Sequence, residues 1–251
     1  VAGMVPVDFW EEATSNLQQI KPVFMLAEDE DETALLNKAF NANYGWALHH
    51  LLNGLAQGTA KASDLQAHIE EQQQKLPRGA FSMQFTTNHD ENSWNGTVFE
   101  RMGAAYPTLA ALTFVVEGMP LIYSGQEAGL NKQLEFFEKD TIDWSDLSLT
   151  PFYQQLIRLK KENPALWNGN AGGSMEFLNN TKPEQALVFK RTRDNNSIYA
   201  IFNLSDQPLV LPIDFSLEGQ YEDTLTGEKI NLSNESLELA PWAYHLISVR
   251  N

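Results

Sequence analysis

The feature that most constrains the fold is a change in hydrophobic period near Leu166. Up to that residue, short continuous apolar runs alternate with stretches of helical spacing, which is the pattern of parallel βα units. Beyond the glycine-rich segment 168–173, short runs of β-branched and aromatic residues are separated by turn signals. The chain is therefore predicted to have two regions, an α/β region over residues 1–167 and an all-β region over 168–251.

The α/β region is predicted to contain four strands; the first is predicted to be buried, because its apolar run is continuous, as expected where both faces of a sheet are covered, and the second is a short strand suggested between the two segments that carry carboxylates. These strands are predicted over residues 22–27, 39–44, 81–87 and 120–123. Helices are predicted over 46–57, from Ser63 (with a capping-box spacing to Gln66) to a stop before Pro77, over 97–117 with a break at Pro107, and over 152–162 after a Thr150-Pro151 start.

The all-β region is predicted to be a small antiparallel domain of the sandwich type. Its strands are expected over residues 186–190, 198–204, 209–213, 229–232 and 243–249. Turns are expected at 195–196, 218–219 and 226–227, where Asn and Gly residues concentrate.

Composition excludes several classes of function. The formal net charge is −16, so a nucleic-acid partner, which needs clustered Lys and Arg, is not expected. The chain has no cysteine, which removes disulfides and cysteine-based zinc sites but does not choose a compartment. The longest apolar stretch, around 109–116, is far below the ~20 residues of a membrane span. The start, Val-Ala-Gly-Met-Val-Pro, has no basic leader and no initiator Met, so we expect a mature fragment or a cut chain.

Polar residues follow three of the predicted strands, at the carboxyl end where parallel α/β folds carry function. Glu28 follows the first strand, Asn88-His89-Asp90 follows the third, and Glu127 follows the fourth within a glycine-containing turn. Residues 29–32 are interpreted as a solvated acidic loop, and the Asn-His-Asp cluster could be only a helix-capping turn. Glu127 is predicted to hold backbone amides rather than to do chemistry.

Glu28 and Asp90 are separated by about two βα units, since a (β/α)8 barrel uses ~31 residues per unit. They would therefore come from alternate strands, with the strand at 39–44 between them. We expect their side chains to converge at one mouth of a barrel.

The three segments together resemble the signature regions of the α-amylase family of glycoside hydrolases. Asn88-His89-Asp90 resembles the fourth region, residues 24–28 (Phe-Met-Leu-Ala-Glu) resemble the third, and residues 118–127 are similar to the eighth barrel strand and its turn. The resemblance covers nearly the whole chain. It implies the C-terminal half of a (β/α)8 TIM barrel (residues 1–167, about strands five to eight) followed by an antiparallel β-sandwich domain (168–251).

The resemblance also implies roles. Glu28 would be the general acid/base, Asp90 would stabilise the oxocarbenium-like transition state, and His89 would bind the same sugar. Asn88 would be a further substrate-binding residue or would only orient the loop. Trp94 is our own candidate for an aromatic platform under a glucose ring, with Trp144 as a second; ordinary surface packing is the alternative for both. No metal and no cofactor are expected in this chain.

One departure from the family concerns the nucleophile, which is an Asp in an Arg-x-Asp pattern. No such pattern precedes Glu28, and a retaining glycosidase needs two carboxyl groups ~5–5.5 Å apart. We therefore expect the nucleophile and the other half of the barrel to come from another segment or chain. An isolated half-barrel would be inactive and would leave two sheet edges open.

Two functions stay open at this point. The first is a retaining hydrolase of α-1,4-linked glucans such as starch and maltooligosaccharides; transglycosylation or isomerisation would use the same residues. The second is a non-catalytic, amylase-like module that binds carbohydrate or another protein. An Asp directly before Val1, with Arg two positions earlier, would favour the enzyme.

Overall fold

The computed structural model describes residues 1–212, 219–232 and 236–250. Its first region alternates helices with short strands. The helices are α1 (Val7–Ile20), α2 (Trp46–Ala56), α3 (Ala62–Lys75), α4 (His89–Trp94), α5 (Val98–Met102), α6 (Tyr106–Val115) and α7 (Thr150–Glu162). The strands are β1 (Leu26–Ala27), β2 (Ala42–Tyr44), β3 (Phe81–Gln84) and β4 (Met119–Pro120). Each helix among the described residues is too short or too polar to cross a bilayer.

The four strands form one parallel sheet in chain order, β1-β2-β3-β4. Leu26 pairs with Ala42, and Met83 pairs with Tyr44 on one side and Met119 on the other. Because parallel strands connected by helices point the same way, their carboxyl ends lie at one edge of the sheet, which we call the carboxyl edge. The α/β prediction is confirmed.

The predicted strands are longer than the observed ones, because part of their backbone forms hydrogen bonds with side chains instead of with a neighbouring strand. In 22–27 only Leu26–Ala27 pairs with β2, since the Gln18 side chain bonds both backbone groups of Val23 and the Asn41 side chain accepts from the N–H of Met25. In 81–87, strand β3 ends at Gln84. The next two carbonyls instead accept hydrogen bonds from side chains on α2 and α5.

Two details of the predicted helices are wrong. Helix α3 does not start at a Ser63 cap: it begins at Ala62, and the Asp64 carboxylate accepts from the backbone N–H of Lys61 at 2.8 Å. The 97–117 stretch does divide into two helices, but the break is at Gly103, whose φ of +50° suits glycine. Pro107 lies in the first turn of α6, where its missing N–H costs nothing.

The second region is antiparallel, as predicted. Its strands are β5 (Met175–Phe177), β6 (Ala186–Arg193), β7 (Asn196–Asn203), β8 (Leu209–Pro212), β9 (Gln220–Glu222), β10 (Lys229–Asn231), β11 (Ser236–Leu239) and β12 (Tyr244–Arg250). They form a sheet in the order β12-β7-β6-β5 and two pairs, β11-β8 and β10-β9. Strands β5, β9 and β11 were not predicted, and positions 213 and 218 of the predicted strand and turn lie outside the described residues.

The two regions share one hydrophobic core. It contains side chains of α2, α3, α5, α6 and α7 together with residues of β5, β6 and β7 such as Leu187, Phe189 and Phe202. A second core lies within the β region, where one face of the four-stranded sheet packs against β8, β10 and β11.

Arg191 of β6 connects the two regions through hydrogen bonds, and its side chain is buried, with only 1% of the residue exposed. Its guanidinium donates to the carbonyls of Val115 and Val116 at the end of α6, and to those of Gly173 and Trp167 between the regions, at 2.8–3.1 Å. A cation is favourable at the carboxyl end of a helix. Burial lowers the pKa of Arg191 to about 10, so the side chain stays charged at neutral pH.

We predict that Arg191→Met lowers the free energy of unfolding by about 3 kcal/mol, because buried carbonyls lose their donors. The measurement is chemical unfolding at pH 7. Arg193→Met is the matched control, since Arg193 lies two residues along the same strand with a side chain 44% exposed. Equal stability of the two variants would contradict this account of the link.

Candidate active site

The carboxyl edge brings together three of the side chains singled out from the sequence. Glu28 follows β1, and His89 and Asp90 open α4 after β3. The Nε2 atom of His89 lies 3.8 Å from Glu28 Oε1 and 3.6 Å from Asp90 Oδ1. One ligand atom of each of the three lies within 4.8 Å of the other two. The predicted convergence of Glu28 and Asp90 is therefore present, and all three side chains are about half-exposed to a ligand.

Tyr44, the last residue of β2, was missed by the sequence analysis and belongs to this edge. Burial raises the pKa of Tyr44, and the negative charges of Glu28 and Asp90 raise it further. The ring packs edge-to-face against Phe85. The sequence signal that could have identified Tyr44 is an aromatic residue at the end of the strand that lies between those preceding Glu28 and Asp90.

Residues 29–32 are only in part the solvated acidic loop that the sequence suggested, because Asp31 and Glu32 are exposed whereas Asp29 and Glu30 are partly buried. The Asp29 carboxylate accepts backbone hydrogen bonds from Gly3, Asp31 and Glu32 at 2.9–3.1 Å. Burial acts to raise the pKa of Asp29, but these hydrogen bonds outweigh it and the pKa is lowered. Glu30 accepts from the N–H of Ala47 in the first turn of α2 at 2.7 Å. These acids fix the backbone that carries Glu28.

Asn88 lies behind the three exposed side chains rather than beside them. It is 1% exposed, and its Oδ1 accepts from the N–H of Glu91 at 2.8 Å, which makes it the N-cap of α4. Its side-chain amide nitrogen is buried without a partner. Asn88 therefore sets the backbone of the loop, and it offers no exposed group to a ligand.

Glu91, next to Asp90, points into the protein and is 7% exposed. Its carboxylate lies 2.9 Å from Nε2 of the fully buried His49 and accepts from Asn95 at 2.9 Å. Arg101 lies 3.9 Å away and donates to the carbonyl of Thr86. Burial acts to raise the pKa of Glu91, but the hydrogen bonds and charges of these neighbours bring it down to about 2. The cluster ties α4 to α2 and α5.

The two tryptophans proposed as sugar platforms are both exposed, Trp94 by 58% and Trp144 by 49%. Trp94 ends α4, and its ring lies 5.1 Å from that of Phe136. Trp144 lies in the loop between β4 and α7, which also carries Phe136. Glu127 accepts from the N–H of Gly125 at 3.1 Å, so the prediction that it holds backbone amides is confirmed.

Glu28, His89 and Asp90 are also the donors that could hold a metal ion among the described residues. Two carboxylates and one imidazole suit a first-row divalent cation. All three groups are equally able to bind hydroxyl groups, so the donor set alone does not require a metal.

Residues 6–205 match the family model described as "Alpha amylase, catalytic domain". The chain therefore belongs to the alpha-amylase family of glycoside hydrolases.

Individual relatives agree with this assignment. Alpha-amylase 2 of Dictyoglomus thermophilum is 27% identical over 180 residues, which is 65% of this chain and 28% of that protein. A cyclomaltodextrinase of a Bacillus species is 26% identical over 213 residues, or 81% of this chain and 37% of the relative. The chain thus spans about a third of the curated relatives it matches.

Solved structures share the fold at lower identity. The maltogenic alpha-amylase of Thermotoga neapolitana superposes with a TM-score of 0.84 at 22% identity, covering 100% of this chain and 60% of that one. An alpha-amylase from Lactobacillus plantarum gives 0.81 at 22% identity, with 98% and 60% covered.

We predict that Glu91→Gln lowers the free energy of unfolding at pH 7 by about 2 kcal/mol, because the buried His49 loses its charged partner. The folded-state pKa is depressed, so Glu91 stabilises the fold above its ordinary pKa, and this contribution is lost as the pH falls from 4.5 toward about 2. The difference between variant and parent should therefore shrink over that range.

Unfolding curves at several pH values test this prediction for Glu91→Gln, with Glu138→Gln at an exposed position as control. A difference in the free energy of unfolding that stays constant with pH would contradict it.

Proposed function

We propose that this chain carries the acid/base half of a retaining glycoside hydrolase that acts on α-1,4-linked glucans. The observation that supports it best is the approach of Glu28, His89 and Asp90 to within 4.8 Å at the carboxyl edge, in a chain of the alpha-amylase family. The names of its relatives, alpha-amylase and cyclomaltodextrinase, point to α-glucans as the substrate class.

In this proposal Glu28 transfers a proton to the glycosidic oxygen as the bond to the anomeric carbon breaks. A nucleophilic carboxylate from outside this chain bonds to that carbon as the leaving group departs. The carboxylate left on Glu28 then takes a proton from the water that attacks the same carbon and displaces the nucleophile, which restores the acid. Glu28 suits this role because its side chain is 45% exposed and its backbone is held by the adjoining Asp29 turn.

Asp90 and His89 act on the sugar ring at the point of cleavage. The Asp90 carboxylate accepts hydrogen bonds from ring hydroxyls, and its charge stabilises the positive charge that develops on the ring in the transition state. The His89 imidazole, which lies within 4 Å of both acids, donates to the same sugar. Tyr44 lies close enough to the two acids for their charges to act on its hydroxyl group.

The nucleophilic carboxylate is proposed to come from residues outside this chain, and the parallel sheet to be half of a (β/α)8 barrel. Residues 1–167 would supply that half, and 168–251 a separate β-domain. Strands β1 and β4 are the edges of the sheet within the described residues. Large apolar side chains near β1 are exposed, among them Met4 by 81%, Phe9 by 56% and Ile20 by 80%. Several large exposed apolar side chains within one segment support an interface there.

We predict that Ile20→Asp destabilises the intact protein that carries this chain by about 2 kcal/mol, because a charge would be buried where the remaining barrel packs. The measurement is the unfolding free energy, and the matched control is Gln19→Asp on the neighbouring exposed position of α1. If Ile20 faces water in the intact protein, the two variants will differ by less than ~0.5 kcal/mol, and the half-barrel proposal fails.

We predict that Glu28→Gln lowers starch and maltooligosaccharide hydrolysis by the intact protein about a thousandfold, because the amide cannot donate and recover a proton. The fold should be kept, as judged by circular dichroism, since Glu28 is exposed.

Asp31→Asn is the control for this variant, because Asp31 is an exposed acid on the same loop. Unchanged turnover in Glu28→Gln would remove the assigned role. If the parent itself binds maltooligosaccharides without cleaving them, the non-catalytic amylase-like module becomes the better account.

A further inference from the structure

Three aromatic rings form an exposed patch beside the proposed catalytic residues. Trp94 is 58% exposed, Phe136 39% and Phe137 82%. The ring of Phe136 lies 5.1 Å from that of Trp94 and 4.8 Å from that of Phe137, and Trp94 and Phe137 are 6.1 Å apart. We call these three residues the aromatic shelf. Exposing three large rings together is unfavourable in water, so the patch indicates a surface that a binding partner covers.

The shelf is continuous with the proposed catalytic edge. The ring of Phe136 stacks on the imidazole of His89, with centroids 6.0 Å apart and planes inclined by 25°. His89 in turn lies 3.6 Å from Asp90 and 3.8 Å from Glu28. A ligand that extends from the two acids past His89 therefore meets the shelf next.

The loop that carries the phenylalanines is held in place before any ligand binds. Asn92 of α4 donates to the carbonyl of Lys132 and accepts from the N–H of Leu134, at 3.0 and 2.9 Å. The Asp140 carboxylate pairs with the Lys132 ammonium and accepts from the N–H of Glu135 and Thr141. A loop fixed in this way loses little entropy on binding, so its exposed rings act as a preformed surface.

We infer that the aromatic shelf binds a glucosyl ring of an α-glucan adjacent to the one held by His89 and Asp90; this rests on the proposed function. Flat aromatic faces complement the apolar C–H face of a pyranose ring and leave its hydroxyl groups in water. The formal charge of −16 disfavours anionic ligands and admits a neutral sugar chain. Phe137 contributes most area to the ligand, because it is the most exposed of the three.

The test is a pair of binding and kinetic measurements on the intact protein. Phe137→Ala should weaken binding of maltoheptaose about tenfold, as expected for the loss of a stacked ring, in calorimetry with Glu28→Gln as background. It should raise KM for maltoheptaose by a similar factor and leave kcat unchanged. Phe137→Trp should restore binding, whereas Phe137→Leu, which keeps apolar bulk without a flat face, should not.

Val210→Ala is the matched control, since Val210 is a 54% exposed apolar residue of the β region. If Phe137→Ala and Val210→Ala bind maltoheptaose equally well, or if Phe137→Leu binds as well as the parent, the inference is overturned. Protection of Trp94 from acrylamide quenching in the absence of glucan would also overturn it, because the shelf would then be covered by protein.

These outcomes separate the shelf from the proposed function. Loss of maltoheptaose affinity in Phe137→Ala, together with unchanged turnover in Glu28→Gln, would leave the shelf standing as a carbohydrate site and remove the catalytic assignment. Loss of turnover in Glu28→Gln with full affinity in Phe137→Ala would remove the shelf alone.

Discussion

The whole site depends on the parallel direction of four very short strands. Strands β1 to β4 are two to four residues long, yet their common direction sends every following loop to the same edge. That constraint brings Glu28 and Asp90 within 4.8 Å although two strands and two helices separate them in sequence. Antiparallel pairing of any one strand would send its following loop to the opposite edge, and the site would be divided.

Adjacent carboxylates at this edge have opposite surroundings. Asp90 and Glu91 are consecutive in α4, yet the Asp90 side chain is 34% exposed and the Glu91 side chain 9%. The buried carboxylate is fixed by His49, Asn95 and Arg101, which anchors the turn from which the exposed one projects. The position of Asp90 at the carboxyl edge therefore depends on the buried cluster around Glu91, because the short strands alone supply few hydrogen bonds.

The sequence predicted the order of the βα units, the antiparallel second region and the convergence of Glu28 with His89 and Asp90. These follow from local periodicity and from the rule that parallel strands share a functional edge. It did not predict that β1 would be two residues long, that Asp29 and Glu30 would bond backbone amides, or that Phe136 would stack on His89. Most of these features depend on a partner far along the chain, such as Gly3 for Asp29 and Ala47 for Glu30, and hydrophobic period carries no information about such pairs.

The contacts between the two regions affect the site, because they hold the helix end from which the chain continues into β4. Arg191 of β6 caps the end of α6 at Val115 and Val116, and the chain then passes directly into β4 and the loop that carries Phe136. Lys160 of α7 donates to the carbonyl of Phe114 at the same helix end, and burial, together with the charge of Arg191, lowers its pKa to about 7. Two basic side chains thus hold the helix end from which the edge strand departs. Packing of the β region against the α/β region therefore fixes where β4 begins, and with it the start of the loop that carries Phe136.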